Sequence, residues 1–369
     1  MSTLRVEALE QPDGTAFVFN NKNLLINGGH NIWQRSTSAS VSSDTYHTVD
    51  RWQNGINGMG VFTVSRSTDV PSGQGFGYSC KYDCTTADAS PAAGDYVAHY
   101  QKIEGQNLQH LLKGTSNAKA ITVSFWVKSN KTGTYIVDLY DNDNSRHISR
   151  AYTIDSASTW EKKTLTFPGD TTGTLDNDNA QSMRVVWWMG AGSNYTSGTL
   201  QTSWGSEVSA NRAVGVVNLA DSTSNEWYIT GCQMEVGSTA SGFEFEPYAY
   251  TLQKCQRYFE LTDHGADDIP PSVVVNGNGI YRSQVLFFKV EKRDSATCSQ
   301  RSAWTFQYYN GSSVNMNTQN IDGNKYGYVI HGDSNRTTYQ ALGGSSVPFS
   351  GPGSGSGLSN YVIESDAEL

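Results

Sequence analysis

The chain reads as all-β, and three observations carry that reading. Short Val/Ile/Tyr/Phe/Trp runs alternate with polar residues at period two. Glycine is plentiful at 36 residues against 9 prolines, and Ser, Thr and Asn fill the gaps between the runs, as in sheets joined by many turns. Only one stretch, EPYAYTLQKCQRYFE, carries a clear helical spacing. At 369 residues, 11% of them aromatic, the chain is long enough for two domains with proper cores. The order expected is an N-terminal attachment arm (1–22), a jelly-roll β-sandwich (23–245), a connecting amphipathic helix (246–260) and a smaller C-terminal β-sandwich domain (261–369).

The arm is expected from LRVEAL and TAFVF, two strand-like runs around the turn residues Pro12, Asp13 and Gly14. Alone such a hairpin is barely stable, so it pairs with another chain or docks on a partner; the alternative is a frayed terminus. Next come ten segments with strand alternation: 59–66, 76–85, 95–103, 120–129, 133–140, 148–154, 160–167, 182–189, 213–218 and 226–235. About ten strands over some two hundred residues make one double-sheet or closed domain. IEGQNLQHLL (103–112) interrupts them as a short helix or a long loop.

In the helical stretch Pro247 suits a first turn, and Tyr248, Leu252, Cys255 and Phe259 form one stripe at four-three-four spacing. That stripe buries against its own sandwich, or beside symmetry mates around an axis, since the spacing is also a coiled-coil seam. Beyond it VVVNGNGIYRSQVLFFKV, WTFQYYNGSSVNMNTQNI, KYGYVIHG and YVIESDAEL supply a second β-domain, interrupted by the Gly/Ser/Pro-rich SSVPFSGPGSGSGLSN, which reads as a mobile loop.

The net charge of −9, with no Lys/Arg cluster, excludes nucleic acid as an expected partner. No run approaches the roughly 18 apolar residues of a membrane helix, and MSTLRVEALEQPDG lacks an apolar export core, so neither membrane insertion nor a standard export signal is expected. The five scattered cysteines suit a reducing site of synthesis. Cys80 and Cys84 on one strand face lie about 13 Å apart, too far for a disulfide, and read as small buried side chains.

No cofactor is expected, and catalysis has little support. The seven histidines form no HExxH, and there is neither a GxSxG elbow nor a P-loop. In DLYDNDNSRH, Asp141, Asp143 and Ser145 alternate like cation ligands, but Arg146 and Tyr152 stand where an EF-type loop needs Gly and Glu, so no metal is expected. A paired-carboxylate glycosidase leaves no local pattern and remains an alternative. In RVVWWMG, Val185, Trp187 and Met189 share one side of a strand, and Arg184, Val186 and Trp188 the other. Trp188 is expected to point away from the core, because Arg184 shares its face. Trp188 with Arg184 is one candidate glycan platform; Tyr308, Tyr309 and Tyr326 are another. Inter-subunit packing or core packing is the plainer use of such rings.

Several phrases, in order, carry a family resemblance: LLINGGHNIWQR with YHTVDRW, QKIEGQNLQHL, ITVSFWVKSNKTGTYIVDLY, STWEKKTLTFPGD, WYITGCQMEVGSTASGFEFEPYAYTLQKCQRYF and a DAEL terminus. Across nearly the whole chain they resemble tail-fibre and other virion structural proteins of tailed bacteriophages, and SFWVKS…GTY…STWE…FPGD is similar to carbohydrate-binding jelly rolls. The resemblance implies a homotrimeric, non-enzymatic tail fibre of the virion, assembled in the host cytoplasm. It would join a phage tail or adaptor protein through the arm and touch a host-surface glycan or receptor. A capsid-decorating head fibre or knob and a polysaccharide-acting enzyme module are the alternatives.

Overall fold

Alternating residues need two dry surfaces facing one another, and the chain provides them as two antiparallel six-stranded sheets. The computed structural model describes residues 22–264, 274–275, 280–282, 286–300, 305–307, 313–315, 320–333 and 361–369. It divides into two compact units: the first takes in residues up to Asn31, Ser38–His47 and Trp52–Pro247, the second Ile32–Thr37, Thr48–Arg51 and Tyr248–Leu369.

The first unit is a jelly-roll β-sandwich. Its strands are β1 (Ser38–Val41), β2 (Gln53–Asn57), β3 (Val61–Ser67), β4 (Ser79–Thr86), β5 (Tyr96–Glu104), β6 (Ile121–Ser129), β7 (Gly133–Asp141), β8 (Arg146–Ile154), β9 (Glu161–Phe167), β10 (Gln181–Ala191), β11 (Gly205–Ser206) and β12 (Glu226–Val236). One sheet runs β1-β3-β4-β12-β6-β9, the other β11-β8-β7-β10-β5-β2. The inward rows are apolar: Phe62, Tyr82, Phe125, Val127, Tyr135, Val137, Leu139, Val185, Trp187, Met189 and Trp227 are all fully buried. All five cysteines are free, and Cys80 and Cys84 are buried on β4.

Nine of the ten expected segments overlap these strands. The exception is 213–218, which forms a turn and extended loop around Gly215 at φ +85°. β1 (SASV), β2 (QNGIN) and β11 have too few apolar residues to announce themselves; each sits at the edge of its sheet, where one partner strand suffices. Residues 103–112 form the end of β5 and two single 3₁₀ turns, Gly105–Asn107 and Gln109–Leu111.

Two of the polar groups deep in this unit bear on its stability. In the core, Trp52 stacks between His30 (5.0 Å between centroids) and His99 (4.6 Å), whose Nε2 atoms meet at 3.2 Å. Asn54 donates to the Tyr82 hydroxyl (2.7 Å), which in turn lies 3.0 Å from His99 Nδ1. Burial pushes His30 down to about 3, and burial together with His30 holds His99 well below its ordinary value. The second group is a caged ammonium. Lys113 Nζ contacts Asp141, reaches Asp170 at 3.1 Å, and donates to the carbonyls of Thr172 (3.0 Å) and Gly173 (2.9 Å). Arg146 completes the cage with two bonds to Asp170, at 2.8 and 3.0 Å. The alternating acidic loop of the β7–β8 hairpin thus holds the cation of a lysine.

The second unit is also β-rich. Its helix, Tyr248–Gln256, is shorter than the expected 246–260. The buried residues are Thr251, Cys255 and Gln256; Leu252 is half-buried and Tyr248 is exposed. Phe259 is buried but belongs to the next strand, Phe259–His264, so the four expected residues do not form one seam. The helix stops because that strand pairs in full with Tyr361–Asp366, which pairs in turn with Thr297–Gln300. Cationic faces lock the start of the strand: Arg51 lies 3.4 Å over the Tyr258 ring and Arg35 3.7 Å over Phe259, and both arginines reach Glu368. Glu260 is buried against Lys292 at 2.7 Å. The expected arm (apart from Lys22), Tyr308, Tyr309 and the loop 345–360 lie outside the described residues.

Two stability measurements follow from the first unit. Lys113→Met strips the cage of its ammonium and leaves Asp141 buried and uncompensated, so urea unfolding should show a loss of about 3–5 kcal/mol, partly recovered by adding Asp141→Asn. The histidines set a pH slope: unfolded, each gains a proton near pH 6.5, while the folded forms stay neutral. Stability is then complete above about pH 7.5 and falls by about 1.4 kcal/mol per histidine per pH unit below about pH 6.5. A flat profile between about pH 5 and about pH 7.5 would count against their neutral burial.

Candidate functional site

The outward face of the second sheet differs in kind from every other described surface. β10 lies between β5 and β7, so its outward residues form cross-strand rows. Arg184 is opposite Lys102 and Tyr140, Val186 opposite Tyr100 and Asp138, and Trp188 opposite Ala98 and Ile136. β2 and β8 extend the rows with Gln53 beside Tyr100, Ser149 beside Asp138, and His147 beside Tyr140. The alternation read from RVVWWMG is present: Trp187 fills the core and Trp188 faces away from it.

Facing away does not leave Trp188 exposed. It is 3% accessible, packed with Ala98, Tyr100, Ile136, Val186 and Ala213 under Tyr96, Tyr195 and Leu200. Its cover comes from the connection after β10, with the one-turn helix Ser193–Thr196 and the turn at Ser209–Asn211. Arg212 in that connection lies 5.2 Å from the Trp188 ring and 4.8 Å from Tyr140. The indole is therefore the floor of this surface, and the tyrosines and Arg184 are its working edge.

Three carboxylates hold the surface together. Asp138, fully buried, takes Nε of Arg212 at 3.1 Å, His147 Nδ1 at 3.1 Å and the Ser149 hydroxyl at 3.2 Å. Burial alone would raise its carboxyl, but Arg212 and His147 outweigh that and hold it below the usual carboxylate range. Glu207 accepts from the Tyr140 hydroxyl at 2.8 Å and from Ser209 at 2.9 Å, and lies 3.9 Å from Arg212. Asp44 accepts from Gln53 (2.7 Å), Tyr100 (2.6 Å) and Tyr96 (2.9 Å). Burial and the adjacent Asp44 push both tyrosine hydroxyls up, so they stay protonated donors.

Arg184 stands apart. Its guanidinium lies 4.5 Å from the Tyr140 ring and 5.9 Å from Tyr100, flanked from the strands on either side. Its Nε is buried with no hydrogen-bond partner among the described residues, and none of the ion pairs there involves it. The opposite sandwich face makes a useful contrast. There Trp160 and Tyr228 also sit beside cations, but Lys128 is paired with Asp69 and Lys81 with Glu226 at 2.9 Å, while Trp160 Nε1 donates to Asp69 at 2.8 Å. That network is closed, whereas no ion pair or hydrogen bond among the described residues engages Arg184.

Sequence reasoning placed Arg184 and Trp188 on one face, and the structure keeps them there. It missed Tyr100, Tyr140, Asp138, Asp44, Glu207 and Arg212, which no local spacing links to β10. Tyr326 is 52% exposed in the second unit, with Lys325 Nζ 4.8 Å from its ring, and makes no described cluster with other tyrosines.

No protein-family model matches the chain, and no curated protein matches it. Among solved structures it is similar to the enzymatically active domain of bacteriophage CBA120 tailspike protein 4, at 14% identity and TM-score 0.30, over 61% of this chain and 23% of that one. It is likewise similar to the family 11 carbohydrate-binding module of a Clostridium thermocellum cellulase (13% identity, 57% of this chain, 100% of that one, TM-score 0.27). A third is the carbohydrate-binding module TmCBM61 in complex with β-1,4-galactotriose (11% identity, 59% of this chain, 100% of that one, TM-score 0.28). The chain thus spans less than a quarter of the tailspike structure.

Proposed function

We propose that this protein is a non-enzymatic, glycan-binding component of a bacteriophage virion, a tail fibre whose jelly-roll body contacts the host surface. The observation that carries the binding part is Arg184, a half-buried guanidinium between Tyr140 and Tyr100 with no ion pair among the described residues, on a sheet face braced by buried ion pairs. Sugar recognition needs aromatic faces for C–H surfaces and fixed polar groups for hydroxyls, and rigid strands present both at low entropic cost. The virion part is supported by the ordered phrases from LLINGGHNIWQR to DAEL. Single-site contacts of this size are weak, and several identical chains on one particle raise the effective concentration; a homotrimer joined to the tail through residues 1–22 would supply that multiplicity.

Calorimetry of the full chain against bacterial surface oligosaccharides should find a ligand whose affinity drops at least about tenfold, or about 1.4 kcal/mol, in Arg184→Ala. The wild-type chain should release no new reducing ends from that ligand. An affinity unchanged in the variant would remove this face from the binding role, and turnover would remove the non-enzymatic reading. For the assembly, light scattering should report three copies, and mass spectrometry should find the chain in purified tails; a stable monomer, or absence from the tail fraction, would refute those parts.

A further inference from the structure

The chemistry of the unpaired guanidinium points to a class of sugar. This rests on the glycan-binding reading and goes one step beyond it. We infer that the outward face of the second sheet selects acidic saccharides, with a sugar carboxylate pairing with the guanidinium of Arg184.

Every carboxylate braced into this face is already engaged. Asp138 and Glu207 face Arg212, and Asp44 takes three donors from Gln53, Tyr96 and Tyr100. The hydroxyls of Tyr140, Tyr96 and Tyr100 donate to Glu207 or Asp44, and none of them accepts a hydrogen bond from Arg184. The half-buried guanidinium therefore has no hydrogen bond or ion pair among the described residues; its Nε is buried, and the terminal Nη1 and Nη2 are the nitrogens left to a ligand. Aromatic rings on both sides hold it in place, which lowers the entropy lost when a ligand docks.

A planar cation so presented discriminates among ligands. A neutral hydroxyl offers one ordinary hydrogen bond, whereas a carboxylate offers two charge-assisted bonds in the geometry of the guanidinium fork, each roughly twice as strong. The net charge of −9 works against polyanions at long range, but at physiological salt fields are screened within about 8 Å. The contact at Arg184 then decides the outcome. The closed network of Lys128, Lys81, Asp69 and Glu226 on the other face offers no such vacancy in its pairing.

The test uses the full chain and matched pairs of β-1,4-linked oligosaccharides in gluco and manno configuration and of α-1,4-linked oligosaccharides in galacto configuration, each as the neutral sugar and as its C6 uronic acid. Calorimetry should show at least one uronic member binding about tenfold tighter than its neutral twin. The preference should shrink between about 0.01 M and about 1 M salt, vanish in Arg184→Gln, and fall to an intermediate level in Arg184→Lys, which keeps the charge but loses the fork. Each variant is checked for an unchanged melting profile. Equal affinity for acid and neutral twins would overturn the inference while leaving glycan binding intact. A preference that survives Arg184→Gln would overturn the assignment to this residue. Failure of all six sugars to bind would count against the glycan reading itself, and the inference would fall with it.

Discussion

The central strand β10 must satisfy two dry faces at once, and the rest of the sandwich is arranged around that demand. Its period-two alternation sends Val185, Trp187 and Met189 into the space between the sheets and Val186 and Trp188 to the other side. A strand buried on one face only would leave a tryptophan in water. Here the connection after β10 folds back and covers Trp188 with Tyr195, Leu200 and Ala213. Burying both indoles gains several kcal/mol, and it fixes on both faces the strand that carries Arg184.

That cover brings charge with it. Arg212 comes down with the connection and is 5% exposed, and an arginine there is tolerable only because the fully buried Asp138 on β7 meets it. His147 and Ser149, one strand further, saturate the other oxygen of the same carboxylate. Such an arrangement adds little net stability over an apolar one but penalises any alternative in which one member is missing. The same logic explains Lys113 between Asp141 and Asp170 at one end of the sandwich, and Glu260 with Lys292 in the second unit. In each case a tethered cation meets a buried carboxylate that would otherwise stand uncompensated.

Against this background of closed pairings, an arginine with ring faces on both sides and no acceptor is informative. Binding surfaces are built where a rigid scaffold leaves polar capacity unused. The histidine-lined core is the opposite case: His30, His99, Tyr82 and Asn54 exchange hydrogen bonds among themselves, and the two histidines stack on Trp52. That cluster serves packing, with its polarity confined to the interior.

Residue order alone determined a good deal of this protein. β6 and β7 are legible in SFWVKS and GTYIVDLY because alternation is a local property, and the division of Trp187 from Trp188 follows from the same two-residue period. The edge strands β1 and β2 are not legible, since a single pairing partner asks little of their side chains. The stripe ending at Phe259 is not one helical seam, because a local spacing says nothing about the distant strand Tyr361–Asp366 that claims Phe259 for its sheet. Tertiary structure alone decided that Asp44, Tyr100, Tyr140 and Arg212 gather around β10, that Trp188 is roofed over, and that Arg184 is left with an unspent donor. Those outcomes depend on which carboxylates reach which cations across the fold, and contacts between residues so distant along the chain leave no periodic trace in it.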